Sequence, residues 1–173
     1  MATAQTVDQI LRVDHAGESG AIRIYRSQIA IARLLHPGCV QPLQHMLEHE
    51  LSHFKTFDGL LKARNVRPCH ALPLWMIGGW MLGTLTALFG ERAIWVCTAA
   101  IENTVNEHLE HQVAVLRVDD PEALAAVESI RRDEKEHEQH AIAHGGESKG
   151  LYRVLRWIVK GSTSLAIWLS TKL

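Results

Sequence analysis

The fold of this chain is decided by the stretch ELSH at residues 50–53, which returns as EKEH at residues 134–137. Each stretch is a Glu-x-x-His, and residues three apart lie on the same face of an α-helix. One carboxylate and one imidazole placed in this way can reach the same metal ion. A single Glu-x-x-His is weak evidence, because chance alone supplies such pairs in a chain with 11 His residues.

Two further carboxylates make the pattern specific. Glu18 lies 32 residues before Glu50, and Glu102 lies 32 residues before Glu134, so the second half repeats the first with a period of 84 residues. One Glu from each of two helices, with a Glu-x-x-His from each of the other two, is the ligand set of a carboxylate-bridged di-iron bundle. The spacing predicts an all-α four-helix bundle with an internal two-fold repeat. Its six predicted metal ligands are Glu18, Glu50, His53, Glu102, Glu134 and His137.

Helix phase supports this ligand set. At 100° per residue each of the four Glu residues lies in the middle of an apolar stripe, as Met46 and Phe57 illustrate around Glu50. A buried carboxylate is too costly to keep unless it is neutralised, paired with a cation or bound to a metal. The alternative that the residues leave open is an ordinary bundle in which these side chains are capped or partly exposed.

Three side chains beside the predicted ligands are candidates for supporting roles. Asp14 and Tyr25 share the helix face of Glu18, and Asp133 immediately precedes Glu134. We expect Asp14 and Asp133 to orient ligand histidines, and Tyr25 to form a hydrogen bond near the site. A structural role is the alternative for each, and no catalytic residue is predicted beyond the metal ligands.

Composition sets the broad class of the protein. The length of 173 residues predicts one domain, residues 1–173, with enough chain for a full core. The net charge of −1 argues against a nucleic-acid-binding protein. The three cysteines have no C-x-x-C spacing and are expected to be reduced thiols. Residues 1–9 contain no basic or apolar segment of the kind that begins a secretory signal.

Apolar periodicity and the positions of Pro and Gly predict six helices. They cover about residues 7–35, 42–64, 74–89, 91–117, 121–144 and 149–171. Gly17 and Gly20 flank Glu18 and indicate the close approach of another helix, of dioxygen or of a substrate. His45 and His49 lie further from the stripe centre of their helix, so we expect them at the surface or beside the ligands.

Two of these helices fall outside the four-helix bundle. Residues 71–90 contain no charged side chain, and we expect this helix to pack on the bundle and expose an apolar surface, with a buried core helix as the alternative. Residues 149–171 carry four basic side chains on one face and an apolar face opposite, flanked by Trp157 and Trp168. This pattern is typical of a helix lying in an anionic membrane surface, although it could equally cover the bundle or a partner.

With these residues in view, the sequence resembles the demethoxyubiquinone hydroxylase family of ubiquinone biosynthesis. The resemblance covers most of the chain. It is densest at RVDHAGESGAIRIY (12–25), EHELSHF (48–54), PLWMIGG (73–79), CTAAIE (97–102) and RRDEKEH (131–137). The chain departs from some relatives at Leu109, where they carry tyrosine, so no mechanism here depends on a phenol at that position.

The resemblance implies a ferritin-like fold, two Fe ions per chain and the same six ligands that spacing and phase select. It further implies a monooxygenase that uses dioxygen to hydroxylate the ring of a polyprenylated quinone or quinol. The electron donor would be NADH, a reductase or the quinol itself. A homo-oligomer or a quinone-biosynthesis complex is expected. The expected location is the membrane surface, on the cytoplasmic face of a bacterial inner membrane or the matrix face of the mitochondrial one.

Two other functions use the same features. A ferritin-like ferroxidase or iron-handling protein would use the six ligands without a quinone and would not need the apolar surface of residues 71–90. A non-catalytic membrane-bound scaffold would use the outer helices and would tolerate substitution of Glu50 or Glu134.

Overall fold

The computed structural model describes residues 6–147 and 149–173, so residues 1–5 and 148 of the predicted domain lie outside the described residues. The described residues form six α-helices and no strand, which confirms the all-α prediction. The helices are α1 (Val7–Leu35), α2 (Val40–Ala63), α3 (Leu72–Leu88), α4 (Glu91–Asp119), α5 (Pro121–Ala141) and α6 (Leu151–Ser170).

Local capping fixes the starts of two bundle helices. Thr6 Oγ1 accepts a hydrogen bond from the backbone N–H of Gln9 at the start of α1. Asp120 Oδ1 accepts from the N–H of Ala123 at 3.0 Å, and Pro121 occupies the first turn of α5. Both arrangements satisfy N–H groups that a helix end leaves without partners.

The four-helix bundle is built from α1, α2, α4 and α5. Helix α1 packs on α2, α4 packs on α5, and α2 meets α5. Buried side chains form one apolar cluster around Leu11, Phe57 and Leu116, and another around Ile29 and Trp95. On each helix the predicted ligands lie between the residues that contribute to these two clusters. The polar centre of the bundle is therefore sealed by an apolar core on either side.

Helix α3 packs closely along α1. A side chain on Gly79 would place its Cβ 2.4 Å from the carbonyl oxygen of Gly20, and one on Gly83 would come equally close to the carbonyl oxygen of Ile24. Glycine lets the two backbones meet there. The close approach indicated by Gly20 is therefore explained by a neighbouring helix.

Helices α3 and α6 both cover the α1/α4 side of the bundle and present apolar side chains to solvent. Helix α6 packs on α4 and α1. We call the exposed side chains of the two helices the outer apolar face. They are Leu74, Ile77, Trp80, Met81, Leu85 and Leu88 on α3, and Leu151, Val154, Trp157, Ile158, Leu165 and Trp168 on α6. This exposure confirms the expectation for residues 71–90. Across the described ranges, no helix combines the length and apolarity that crossing a membrane requires.

The basic face of α6 turns partly towards the bundle. Lys160 Nζ donates to Asn103 Oδ1 at 2.7 Å and lies 3.3 Å from Glu107 Oε1, and Arg156 also donates to Asn103. Contact of α6 with a membrane stays a prediction, and the alternative, that the helix covers the bundle, holds for these two cations. Asn103 and Glu107 on α4 provide them with nearer partners.

Several helix ends differ from the predicted ones. Helix α2 begins at Val40 because the turn at Pro37–Cys39 leads directly into it. Helix α5 ends at Ala141 rather than at 144, and the chain leaves α-helical geometry over Ile142–Gly146. Gly145 has a φ of 101°, and a Cβ on Gly146 would lie 2.8 Å from the carbonyl oxygen of Trp95. Packing of this turn against α4 ends the helix early.

Candidate metal centre

All six predicted ligands meet in the centre of the bundle. Glu18 is supplied by α1, Glu50 and His53 by α2, Glu102 by α4, and Glu134 and His137 by α5. Every one of them is at least 93% buried. A buried set of carboxylates and imidazoles of this kind requires compensation of its charge.

The six side chains form two overlapping groups. In each group one ligand atom per residue lies within 4.8 Å of the others. The first group is Glu18, Glu50, His53 and Glu134, and the second is Glu50, Glu102, Glu134 and His137. Glu50 and Glu134 belong to both groups, so the two groups share two carboxylates.

Both histidines turn Nδ1 towards the carboxylates. His53 Nδ1 lies 3.1 Å from Glu134 Oε1 and 3.7 Å from Glu18 Oε2. His137 Nδ1 lies 3.4 Å from Glu134 Oε2 and 3.5 Å from Glu50 Oε1. The two oxygens of Glu134 therefore face different histidines.

The electrostatics of the site reflect crowded, buried charge. Burial and the nearby carboxylates raise the pKa values of Glu18 and Glu102 well above their ordinary range. Burial also opposes the charge of Glu134, but the close approach of His137 and His53 outweighs it and lowers the pKa of that carboxyl. Burial disfavours both imidazolium ions, yet the carboxylates that face them raise the pKa of His53 to about 12 and that of His137 to about 9.

The donor set fits metal ions. Glu50 Oε1, His53 Nδ1, Glu134 Oε2 and His137 Nδ1 are buried and have no hydrogen-bond partner among the residues that the structure describes. Buried polar atoms normally have partners. Carboxylate oxygens and imidazole nitrogens are suitable ligands for iron, so two cations shared by these atoms would satisfy them together.

The outer nitrogens of the two histidines have different partners. His53 Nε2 donates to Asp133 Oδ2 at 2.9 Å, as expected for Asp133. His137 Nε2 lies 3.0 Å from His49 Nδ1, which places His49 beside a ligand, as also expected. His49 lies 84 residues before Asp133, so the two partners occupy equivalent positions of the repeat. The 84-residue period of the repeat therefore relates His49, the partner of His137, to Asp133, the partner of His53. The position of His49 on the face of α2 does not by itself reveal this role.

Tyr25 makes a second difference between the two halves of the sequence repeat, after the difference between Asp133 and His49. Its hydroxyl donates to Glu102 Oε1 at 2.6 Å, which agrees with the expected hydrogen bond near the site. The equivalent position of the repeat is Leu109, which is buried in the apolar core and has no hydroxyl to offer Glu18. The two groups therefore differ in the hydrogen bonding of both a carboxylate and a histidine.

Asp14 does not fill its expected role. Its Oδ1 accepts a hydrogen bond from Gln112 Nε2 at 2.6 Å, and no hydrogen bond joins it to a histidine among the described residues. Sequence reasoning missed Gln112, which lies on α4 and meets Asp14 only in the folded bundle. Burial raises the pKa of Asp14 to about 7, although the bond from Gln112 opposes this shift.

Sequence reasoning also missed a group of rings beside His137. The rings of His140 and His144 stack with centroids 4.1 Å apart, and Trp95 lies 5.6 Å from His140. The available signal was the spacing, because His140 follows His137 by three residues and shares its helix face.

Comparison with known proteins identifies the family. A family-wide sequence profile described as "Ubiquinone biosynthesis protein COQ7" matches residues 5–170. The chain belongs to the COQ7 family. Among its relatives, the 3-demethoxyubiquinol 3-hydroxylase of Rhodospirillum rubrum is 40% identical over 98% of this chain and 79% of the relative. This result confirms the resemblance described above.

Other COQ7 relatives are eukaryotic. The mouse NADPH-dependent 3-demethoxyubiquinone 3-hydroxylase, named as mitochondrial, is 38% identical over 96% of this chain and 77% of its own length. The yeast 5-demethoxyubiquinone hydroxylase, also named as mitochondrial, is 32% identical over 96% of this chain and 78% of its own length. All three relatives are thus named hydroxylases of a demethoxyubiquinone or its quinol.

Proposed function

We propose that this chain is a di-iron monooxygenase that uses dioxygen to hydroxylate the ring of a demethoxyubiquinone or demethoxyubiquinol in ubiquinone biosynthesis. One observation carries the proposal: two buried groups of carboxylates and imidazoles share Glu50 and Glu134 in a chain of the COQ7 family. Residues 1–173 would act as one domain.

The six buried side chains would hold two iron ions. Glu18 and His53 would bind one ion, Glu102 and His137 the other, and Glu50 and Glu134 would bridge them. Bound iron would supply the binding and reductive activation of dioxygen. The four carboxylates would balance the charge of the two cations.

Neighbouring side chains would keep this ligand set in place. Asp133 holds the ring of His53 through Nε2, so that Nδ1 faces the carboxylates. Tyr25 donates to one oxygen of Glu102 and fixes its orientation. The apolar clusters on both sides of the centre exclude bulk water, which strengthens the electrostatic interactions within it.

The outer apolar face is suited to a polyprenylated substrate. Isoprenoid tails partition into membranes, and apolar burial contributes roughly 0.8 kcal/mol per CH₂ group. Exposed tryptophans on α3 and α6, Trp80, Trp157 and Trp168, are side chains that favour a membrane–water interface. The protein would therefore lie on a membrane surface and admit the quinone ring from that side, because α1 of the bundle packs directly beneath α3.

The proposed location and partners follow from the outer apolar face and from the family. The membrane would be the bacterial inner membrane at its cytoplasmic face, or the mitochondrial inner membrane at its matrix face. Electrons would come from a nicotinamide nucleotide or a reductase, and the name of the mouse relative refers to NADPH. A homo-oligomer or a complex of quinone-biosynthesis proteins would be the working form.

The direct test is incorporation of labelled oxygen. Iron-loaded protein is given a short-chain demethoxyubiquinol, a chemical reductant and ¹⁸O₂, and the product is analysed by mass spectrometry. We expect one ¹⁸O atom in the ring hydroxyl with the unaltered chain and none with Glu134→Ala. Iron oxidation without a hydroxylated quinone would instead indicate an iron-handling protein. Complementation of a hydroxylase-deficient strain by Glu134→Ala would indicate a scaffold.

A further inference from the structure

A pocket of about 230 Å³ lies between the first half of α2 and the last half of α5. His137, a proposed iron ligand, forms part of its wall, so the pocket borders the proposed metal centre. The complete lining is Gln41, Pro42, His45, Met46, Glu136, His137 and His140.

The pocket contains metal-binding side chains that the centre does not use. His45 and Glu136 are exposed to solvent. His140 Nε2 is buried and has no hydrogen-bond partner in the described part of the chain. Burial and the neighbouring His144 lower the pKa of His140, which favours the neutral ring, the form that can offer a nitrogen to a cation. Imidazole and carboxylate groups are suitable ligands for ferrous iron.

Imidazole rings continue from this pocket to the centre. The ring of His45 lies 4.4 Å from that of His49. His49 Nδ1 lies 3.0 Å from His137 Nε2, and the two rings stack with centroids 5.2 Å apart. A row of rings therefore leads from an exposed histidine to a proposed ligand.

The location of the pocket suits an ion that arrives from water. The six ligands are buried, so an ion must pass through the protein surface to reach them. Helices α3 and α6 cover the α1/α4 side of the bundle, whereas the pocket lies between α2 and α5. The ion and a lipid-borne substrate would thus approach the centre from different sides.

We infer that this pocket captures ferrous iron and passes it to the centre, with His45, Glu136 and His140 as transient ligands. The inference rests on the proposed function, since it assumes that the centre holds iron. Among the described residues, the only groups of His, Cys, Asp or Glu whose ligand atoms all lie within 4.8 Å of one another are those in the centre. The wider spacing in the pocket favours transfer of an ion over its retention.

The rate of metal uptake tests this inference. Metal-free protein is mixed anaerobically with Fe²⁺ at low micromolar concentration, and uptake is followed in a stopped-flow instrument by competition with a ferrous chelator. We expect the double variant His45→Gln/His140→Gln to load about tenfold more slowly than the unaltered chain, because it has lost two of the three proposed transient ligands. The final iron content should be unchanged.

Two further variants make the result specific. The matched control is His70→Gln/His111→Gln, which removes two exposed histidines outside the pocket and should load at the normal rate. Glu136→Gln changes an exposed side chain and should slow loading without affecting the fold. Circular dichroism checks the helix content of each.

The outcomes separate this inference from the proposed function. Equal loading rates for the unaltered chain, the pocket double variant and Glu136→Gln would overturn the route and leave the iron centre in place. Lower final iron content in the folded double variant would overturn the transient role, since the pocket histidines would then be permanent ligands. No iron uptake by the unaltered chain would overturn the centre and the route together.

Discussion

At the scale of single residues, the two histidines of the centre are supported unequally. His53 donates to a carboxylate, Asp133, whereas His137 meets a second imidazole, His49. A carboxylate partner makes an imidazole a stronger electron donor than a neutral partner does. The proposed metal position at His53 is therefore expected to bind its ion more tightly than the proposed position at His137.

Substitution of Asp133 tests this difference. We expect Asp133→Asn to weaken binding of the tighter of two metal ions by about tenfold or more, since partners of ligand histidines typically have effects of this size. His49→Gln, the matched change in the other half, should have a smaller effect on that ion. Anaerobic titration with Co²⁺, followed by visible absorption, measures both affinities. An equal loss of affinity in the two variants would contradict the assignment.

Asp14 makes the stability of the protein depend on pH. Its pKa is raised from 3.8 to about 7 in the folded chain, mainly by burial, so the folded state keeps a proton that the unfolded state loses. The resulting stabilisation is present at low pH and is lost as the pH rises through this window. The loss amounts to about 1 kcal/mol per pH unit.

The variant Asp14→Asn should remove this part of the pH dependence. Its uncharged side chain can still accept the hydrogen bond from Gln112. Urea unfolding at several pH values between 4 and 8, with the same metal content in each sample, measures the effect. The control is Asp119→Asn, an exposed aspartate at the end of α4. Parallel stability curves for the unaltered chain and Asp14→Asn would contradict the buried, protonated state.

The sequence predicted the six side chains that meet in the centre of the bundle but only part of their surroundings. Spacing and helix phase are enough to predict which side chains point to the centre, because each of them must occupy one position on one helix face. Tyr25 also follows from phase, and Asp133 follows from its position directly before Glu134. Asp14 has the right phase, but its partner Gln112 is 98 residues away, and one-dimensional periodicity does not specify which side chains meet between helices.

At the scale of helices, the contact between α1 and α3 depends on glycine. A Cβ at position 83 would lie 2.4 Å from the carbonyl oxygen of Ile24 and 2.1 Å from Ser27 Oγ. We expect Gly83→Ala to lower the free energy of unfolding by about 1–3 kcal/mol, because the two helices must move apart.

Gly78→Ala on the same helix is the matched control. No described atom outside the helix lies within 4 Å of a Cβ built there. Alanine favours helix over glycine by about 1 kcal/mol, so this variant should be as stable as the unaltered chain or more so. Thermal unfolding compares the three proteins. Equal melting temperatures for Gly83→Ala and Gly78→Ala would show that α3 does not pack closely on α1.

Helix bounds and faces were predicted less well than helix number. Proline and glycine mark most breaks, but α5 ends three residues early because Gly146 packs against the backbone of Trp95, a tertiary contact. Periodicity separates the two faces of α6 but does not determine which one packs inward. Arg156 donates a hydrogen bond to Asn103, and Lys160 donates one to Glu107. Each acceptor lies more than 45 residues before its donor in the sequence.

At the scale of the whole molecule, the outer apolar face predicts membrane binding. Trp80 on α3 and Trp157 on α6 are 57% and 77% exposed. Burying one large apolar side chain contributes roughly 1.5–3 kcal/mol, so the double variant Trp80→Glu/Trp157→Glu should bind anionic vesicles at least about tenfold more weakly. Vesicle co-sedimentation measures this.

The control for membrane binding is Val118→Glu. Val118 is 83% exposed near the end of α4 and lies outside the outer apolar face. The variant should bind vesicles like the unaltered chain. If both substitutions weaken binding equally, contact with the membrane is not confined to α3 and α6.

Two iron ions are proposed to share one set of ligands. Glu18 belongs to the first group alone and Glu102 to the second alone, whereas Glu134 belongs to both. Loss of an unshared ligand should therefore remove one ion, and loss of a shared ligand should remove both.

The most direct test is the iron content of the anaerobically reconstituted chain, measured together with that of Glu18→Ala, Glu102→Ala and Glu134→Ala. We expect about two ions per unaltered chain, about one for each of the first two variants, and almost none for Glu134→Ala. Circular dichroism establishes that each variant is folded. An unaltered chain with no stoichiometric iron, or a folded Glu134→Ala that keeps both ions, would contradict the shared centre.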